Sequence, residues 1–415
     1  MTADDTGQDI ADACGVRFVV APLRRDNYRE ILDPLVGRGD FLLNVSVEVS
    51  SAALIEYAGS RDALYLDSCI EPWPGGFTDP SLSPAQRSNY VLRESILDLR
   101  RRRPDNATAV VTHGANPGLV SHLAKQAMLN LAADLAPDAT EPRTREEWAA
   151  LAARLGVKVM HVAERDTQVS PRPKEVGEFV NTWSLGWGTH ERALPADGRR
   201  HESGSGSAIY LLRPGAVTRV RSWTPQEGHY HGFLITHSES ISLADYFTLR
   251  DGDAVVYRPT VHYAYHPCDA AVLSLHEVAG RNFHPQPRKR IVMDEIAHGV
   301  DELGVLLAGH TRNAYWFGSL LSIEDTRALV PHNNATSLQV TVAVLAGMVW
   351  AMENPVRGIV EPEEMDFRRA LEICRPYLGH VHGAYTDWHP LCERGVLFPE
   401  DVDGDDPWQF RNVRV

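Results

Sequence analysis

The chain has 415 residues, of which 43% are hydrophobic, enough to bury a large core and to favour two closely joined domains over one. Aromatic content of 8% and charged content of 23% exclude collagen-like, disordered and coiled-coil classes. A net charge of −14 repels nucleic acid and favours cationic ligands.

In chain order, the polar and acidic opening TADDTGQDIADAC reads as a helix entering a strand at GVRFVV (15–20), and it does not resemble a secretory signal. Further strands are expected at FLLNVSV (41–47), ALYLDSC (63–69) and TAVVTH (108–113). Between them lie helices at DNYREILDPLV, with Asp26 as N-cap, at SSAALIEYAG from Ser50, and at SNYVLRESILDLRRRR, whose closing arginines suit a helix C-terminus. After TAVVTH come the loop GANPG and the helix LVSHLAKQAMLNLAADL, in which Val120, Leu123, Ala127 and Leu131 share one face. The alternation of strand and helix is that of a parallel, doubly wound nucleotide-binding sheet.

A complete fold of that kind also needs a strand, a Gly-x-Gly-x-x-Gly turn and a helix to receive a pyrophosphate. GRGD (37–40) has the wrong spacing, and GSGSA (204–208) precedes an apolar strand. The expectation is therefore an α/β chain whose residues 1–118 form an incomplete Rossmann-like domain, without its first strand, glycine turn, first helix and second strand, so that NAD would bind poorly. Residues 119–415 follow as an α+β catalytic and dimerisation domain with a mixed sheet. That part opens with a helix at TREEWAALAARLG, continues through β-prone stretches such as DAVVYRPTVHYAYHP, and carries two late helices near NATSLQVTVAVLAGMVWAMEN and EMDFRRALEICRPYL. No apolar run is expected to reach the ~20 residues of a bilayer span, and the expected compartment is the cytoplasm.

Five scattered cysteines, none in a CxxC spacing, argue against a disulfide framework and a structural zinc site. His190, His231, His262 and His266 lack an HExxH or cysteine partner, so no metal is expected. Ligands of open α/β sheets gather at strand carboxyl ends. Three polar loops occupy that place here: NVSVEVSS (44–51), CIEPWPGG (69–76) and THGANPG (112–118). Asn44, Ser46, Thr112, His113, Gly114 and Ala115 are the candidate cofactor contacts. Singly, each loop has an ordinary structural explanation, such as a proline shaping a turn or Asn116 capping a helix.

EPWPGGFTDPSLSPAQRSNYVLRESILDLRRRRP, THGANPGLVSH, HVAERDTQ, NTWS with LGWGTHER, RVRSWTP, THSESISLADYF, HYAYHPCDAAVLSLHE, NAYWFGS and DPWQFRNV together resemble the bacterial homospermidine synthases over essentially the whole chain. Those enzymes are similar in architecture to saccharopine dehydrogenases. The resemblance implies a cytoplasmic homodimer that couples two putrescines, or spermidine and putrescine, to homospermidine with loss of ammonia, using NAD that is recycled within each turnover. It implies that Glu48 and Glu71 line the diamine entrance, that Asn116 lies near the nicotinamide, and that Glu164 anchors an ammonium end. Trp183 would hold the cation by its π face. His237 and Glu239, which alternate along an expected strand, would each be able to take the amine proton, histidine being the more natural base near neutral pH. Family enzymes often carry Asp where Glu48 stands, and a longer acidic loop where Ser184 here runs directly into Leu185, which bears on amine specificity. The rival readings are a saccharopine or carboxynorspermidine type of reductive amine-coupling dehydrogenase, and an impaired fragment or paralogue acting as a binding partner.

Overall fold

The computed structural model describes residues 1–77, 79–183 and 217–415. GSGSA, LGWGTHER with His190, and the junction from Ser184 to Leu185 lie outside the described residues. The first sheet has four parallel strands, in the order β1 (Phe41–Asn44), β2 (Leu64–Asp67), β3 (Ala109–Val110) and a returning strand, Ile359–Val360. Strand β2 is buried at every position, as a parallel strand covered on both faces requires. Helix α1 (Ser51–Ser60) starts where Ser50 accepts the Ala53 N–H at 3.3 Å. Helix α2 (Asn89–Arg102) starts at Ser88 and ends in three arginines that complement its dipole. Helix α3 (Leu119–Leu135) buries Val120, Leu123, Ala127 and Leu131 completely.

Three expectations for this half need correction. GVRFVV is not a strand: it makes only one bridge, from Val20 to Thr2, and Val16 and Val20 stay exposed because no neighbouring strand pairs with them. The fourth strand of the sheet is instead Ile359–Val360, about 250 residues downstream of β3. The second helix is only Tyr28–Leu32, and its N-cap is Asn27 rather than Asp26. Among the described residues no glycine-rich strand-turn-helix unit occurs.

The second sheet is mixed, with seven strands. They are β4 (Val159–Asp166), β5 (Arg219–Thr224), β6 (Gly228–Ile235), β7 (Thr260–His266), β8 (Val300–His310), β9 (Asn313–Ser322) and β10 (His380–Thr386), in the spatial order β10-β9-β8-β4-β7-β6-β5. β4 pairs parallel with β7 and antiparallel with β8. On one face Met160 and Val162 join Val261, Tyr263, Leu303 and Val305 under α3, helix α4 (Ser238–Tyr246) and helix α5 (Ala335–Glu353). On the other, Val159, Ala163 and Leu306 pack with Trp316, Trp388 and Trp408.

Helix α5 is long and apolar enough by composition to cross a membrane, which the sequence reading did not anticipate, but 72% of that stretch is buried within the protein. It is apolar all round because both sheets use it: Leu66 and Val110 of the first sheet share its core cluster with Val305 and Phe317 of the second.

Candidate functional site

The site forms where the carboxyl ends of β3 and β4 meet. The loop after β3 is a tight turn with a cis Asn116–Pro117 peptide, closed by the Gly114 N–H donating to the Pro117 carbonyl at 2.7 Å. Gly118 has φ +122°, and a Cβ there would lie 2.2 Å from the Gly114 carbonyl oxygen, so only glycine fits. This turn aims Asn116 from the first sheet toward the second, where its Nδ2 donates to Glu164 Oε2 at 2.6 Å. The Tyr263 hydroxyl donates to the same oxygen at 2.6 Å. Glu164 is 2% exposed, and burial pushes its carboxyl up to about 8.

His237 and Glu239 are brought to this place, but not on a strand. β6 ends at Ile235; His237 is the N-cap of α4 and Glu239 lies in its first turn. A helix start brings i and i+2 together as the expected alternation did, for a different reason. His237 Nδ1 lies 3.5 Å from Glu239 Oε1, and its ring sits 5.2 Å from that of Tyr263. Glu239 is fully buried, and among the described residues neither of its carboxylate oxygens has a hydrogen-bond partner.

A second carboxylate group lies at the ends of β1 and β2. Glu71, 5% exposed, accepts the Glu48 N–H at 3.1 Å; Glu48 itself is exposed, with φ 58°. Burial pushes Glu71 up to about 7, and the Glu48 charge adds to this. Burial likewise pushes up the Cys69 thiol, helped by the charges of Glu71, Asp67 and Glu239. Trp183, 37% exposed, is anchored through its neighbour: the Thr182 hydroxyl donates to Asp166 Oδ2 at 2.6 Å, and Asn334 Nδ2 donates to the Thr182 carbonyl at 2.6 Å.

The candidate cofactor residues divide. Asn44 Nδ2 donates to the Tyr65 hydroxyl at 3.1 Å, Tyr65 donates to Asp67 Oδ2 at 2.8 Å, and Asp67 Oδ1 accepts the Thr112 N–H at 2.7 Å. This chain ties the ends of β1, β2 and β3 together. Ser46 donates to Asn44 Oδ1 at 2.5 Å and stays exposed, between the exposed apolar Val45 and Val47. Gly114 and Ala115 line the turn. The His113 ring, in contrast, points into the core: its Nε2 lies 2.9 Å from His122 Nε2, and burial pushes it down to about 4. Among the described residues no three His, Cys, Asp or Glu side chains are placed to hold a metal ion. The His262 ring lies tilted at 44° against that of His161, centroids 4.0 Å apart, on the sheet face away from Glu164.

Sequence reasoning missed Tyr263, Asp67, Asp166 and Asp301. Asp166 and Asp301 are directly paired across β4 and β8, and both are fully buried on the Glu164 face. The available signal was acid in an otherwise apolar strand, in ALYLD, VAERD and VDELGVLL.

A family model described as the saccharopine dehydrogenase NADP binding domain matches residues 1–111, and one described as the saccharopine dehydrogenase C-terminal domain matches 114–386. The chain is 56% identical to the homospermidine synthase of Blastochloris viridis over 99% of its own length and 90% of that protein's. The chain belongs to the homospermidine synthase family. It is also 49% identical to the homospermidine synthase of Mesorhizobium japonicum, over 99% of this chain and 89% of that one. The crystal structure of the Legionella pneumophila homospermidine synthase in complex with NAD superposes with a TM-score of 0.91 at 46% identity, covering 100% of this chain and 91% of that one. Family membership sets aside the saccharopine and carboxynorspermidine types of coupling dehydrogenase.

Proposed function

We propose that the chain couples two putrescines to homospermidine with release of ammonia, spermidine being an alternative aminobutyl donor, and that it works as a cytoplasmic homodimer. The observation that carries this reading is the dry group of carboxylates around Glu164. Glu239 is buried with neither oxygen hydrogen-bonded among the described residues, His237 lying 3.5 Å away, a costly state that a substrate ammonium relieves. In this reading residues 1–118 serve the cofactor and 119–415 the amines. The linked strand ends at Asn44, Asp67 and Thr112, with the apolar Val45 and Val47 and the small Ala115, suit the nicotinamide end of NAD. When bound, NAD supplies the uptake and return of a hydride.

The chain's own groups do the rest. Glu164, held by Asn116 and Tyr263, fixes one ammonium end. His237 takes a proton from the amine nitrogen, and the Glu239 carboxylate beside it stabilises the imidazolium that results. Glu71 and Glu48 draw the dication in, and the Trp183 indole holds its charge, worth about 0.5–2 kcal/mol. Burial of Glu164 and Glu239 excludes water that would hydrolyse an imine.

The test is incubation with putrescine and NAD while homospermidine, ammonia and NADH are followed. Homospermidine and ammonia in equal amounts with no lasting NADH signal are expected. Net NADH accumulation, or putrescine left unbound and unconverted, would sink the reading.

A further inference from the structure

Helix α2 belongs to the first half of the molecule, yet it grips α4 at both ends. Asn89, the first residue of α2, donates Nδ2 to the Thr236 carbonyl at 3.0 Å, one residue before His237. Arg93, one turn along the same face, donates Nη2 to Asp245 Oδ2 at 3.0 Å, at the far end of α4. The nine residues of α4 span about 13 Å; one turn of α2 supplies about 5–6 Å and the arginine side chain the remainder. Arg93 is 4% exposed and also forks onto Glu361, with bonds of 2.6 and 2.7 Å. Arg145 holds the other Asp245 oxygen at 3.1 Å.

Apolar packing alone leaves a helix free to slide or roll at small cost, whereas directional bonds at both ends fix its position. Fixing α4 fixes His237 and Glu239, which occupy its start. Removing Arg93 alone leaves Glu361 without its arginine and costs stability, so placement is read from kcat and from N89A, which breaks no ion pair. We propose that Asn89 and Arg93 are positioning residues that hold the His237–Glu239 pair in register with the entrance carboxylates. This rests on the role given to His237 above.

Groups facing His237 include Glu239 on its own helix and, from β7 and β4, Tyr263 and Glu164. The acidic limb of the kcat profile therefore reports on its placement. N89A, R93M and R93K are compared with H237Q and with R100M. Arg100 makes a similar fork onto Glu364, at 2.7 and 2.8 Å, further along α2 and without touching α4. Expected are a fall in kcat of about tenfold for N89A and about a hundredfold for R93M, as about 1 Å of misplacement would produce. KM for putrescine stays within about twofold, the acidic limb shifts, R93K recovers part of the rate, and R100M matches the parent.

Parental kcat and acidic limb in N89A and R93M, or an equal loss in R100M, would overturn the proposal. Should R93M fail to fold, N89A against R100M decides in the same way. Parental kcat in H237Q removes the role given to His237. Loss of activity in H237Q with a parental N89A removes the positioning role alone.

Discussion

The two faces of β4 are equally dry and chemically opposite. Toward the helices the strand sends Met160, Val162, Glu164 and Asp166, which meet Tyr263, Tyr265 and Asp301; the other way Val159 and Ala163 meet a cluster of tryptophans, while His161 meets Ser222 and His262, and Arg165 pairs with Glu227 and Asp269. The period of two in a strand sorts alternate residues so cleanly that a buried acid site and an apolar core share one backbone. The acids on the helix-facing side weaken the fold, because among the described residues Glu164, Asp166 and Asp301 lie together with no ion pair, and burial pushes all three carboxyls upward. Apolar packing on both faces, Met160 and Val162 on the one and Val159 and Ala163 on the other, offsets that cost.

Glu164→Gln should break the comparison most severely on the acidic side. The amide keeps the shape but loses the charge that fixes an ammonium, and kcat/KM for putrescine should fall about a thousandfold, some 4 kcal/mol. Stability should respond in the opposite direction. The folded chain holds the Glu164 proton up to about pH 8, while the unfolded chain releases it near its ordinary value of 4.5. Folding therefore takes up a proton between those limits, and stability falls as pH rises through them. The variant should lose that part of the slope in melting temperature measured from pH 5 to 9. Asp67 and Glu71, each pushed up to about 7 by burial, keep a slope below about pH 7 in both proteins, so the difference is cleanest between about pH 7 and 8. Identical slopes would mean that Glu164 is ionised in the free protein.

Trp316→Ala tests the apolar face. The side chain is fully buried beside Trp388 and Trp408, and its loss should cost about 3–5 kcal/mol, seen as a lower denaturation midpoint. KM for putrescine in the folded fraction should not change. A tenfold rise in KM would show that the two faces are not independent.

The sequence made one of these faces more legible than the other. Local signals located β1 to β3, the helix starts at Ser50 and Ser88 and the buried stripe of α3, because each depends on residues within a turn or two. Motif resemblance named Asn116 and Glu164, which the structure joins by a hydrogen bond. What escaped depends on pairing between distant segments. GVRFVV is apolar enough for a strand, yet a strand exists only where a partner accepts its hydrogen bonds, and none does. Ile359–Val360 joins the first sheet from far downstream. THSES reads equally well as strand or helix start, because its serines carry no apolar period. Tyr263 and Asp301 reach the site only through the register of β7 and β8 against β4, which no local pattern encodes.

The smallest effect sharpens the comparison within the acidic face. Asp166 lies one pleat beyond Glu164, but its bonds run to Thr182 at 2.6 Å and to the backbone and side-chain nitrogens of Gln168 at 2.8 and 3.0 Å, rather than toward Asn116. Its effect on catalysis should therefore pass through Trp183, the neighbour of Thr182, which holds charge and does not react. Asp166→Asn should raise KM for putrescine about tenfold, about 1.4 kcal/mol, with kcat within about twofold. It should also stabilise the fold modestly, since a neutral amide replaces one of two carboxyls paired across β4 and β8. Kinetics and melting of a single preparation decide the matter. A collapse in kcat at unchanged KM would place Asp166 with the reacting amine and extend the catalytic group one residue deeper into the sheet.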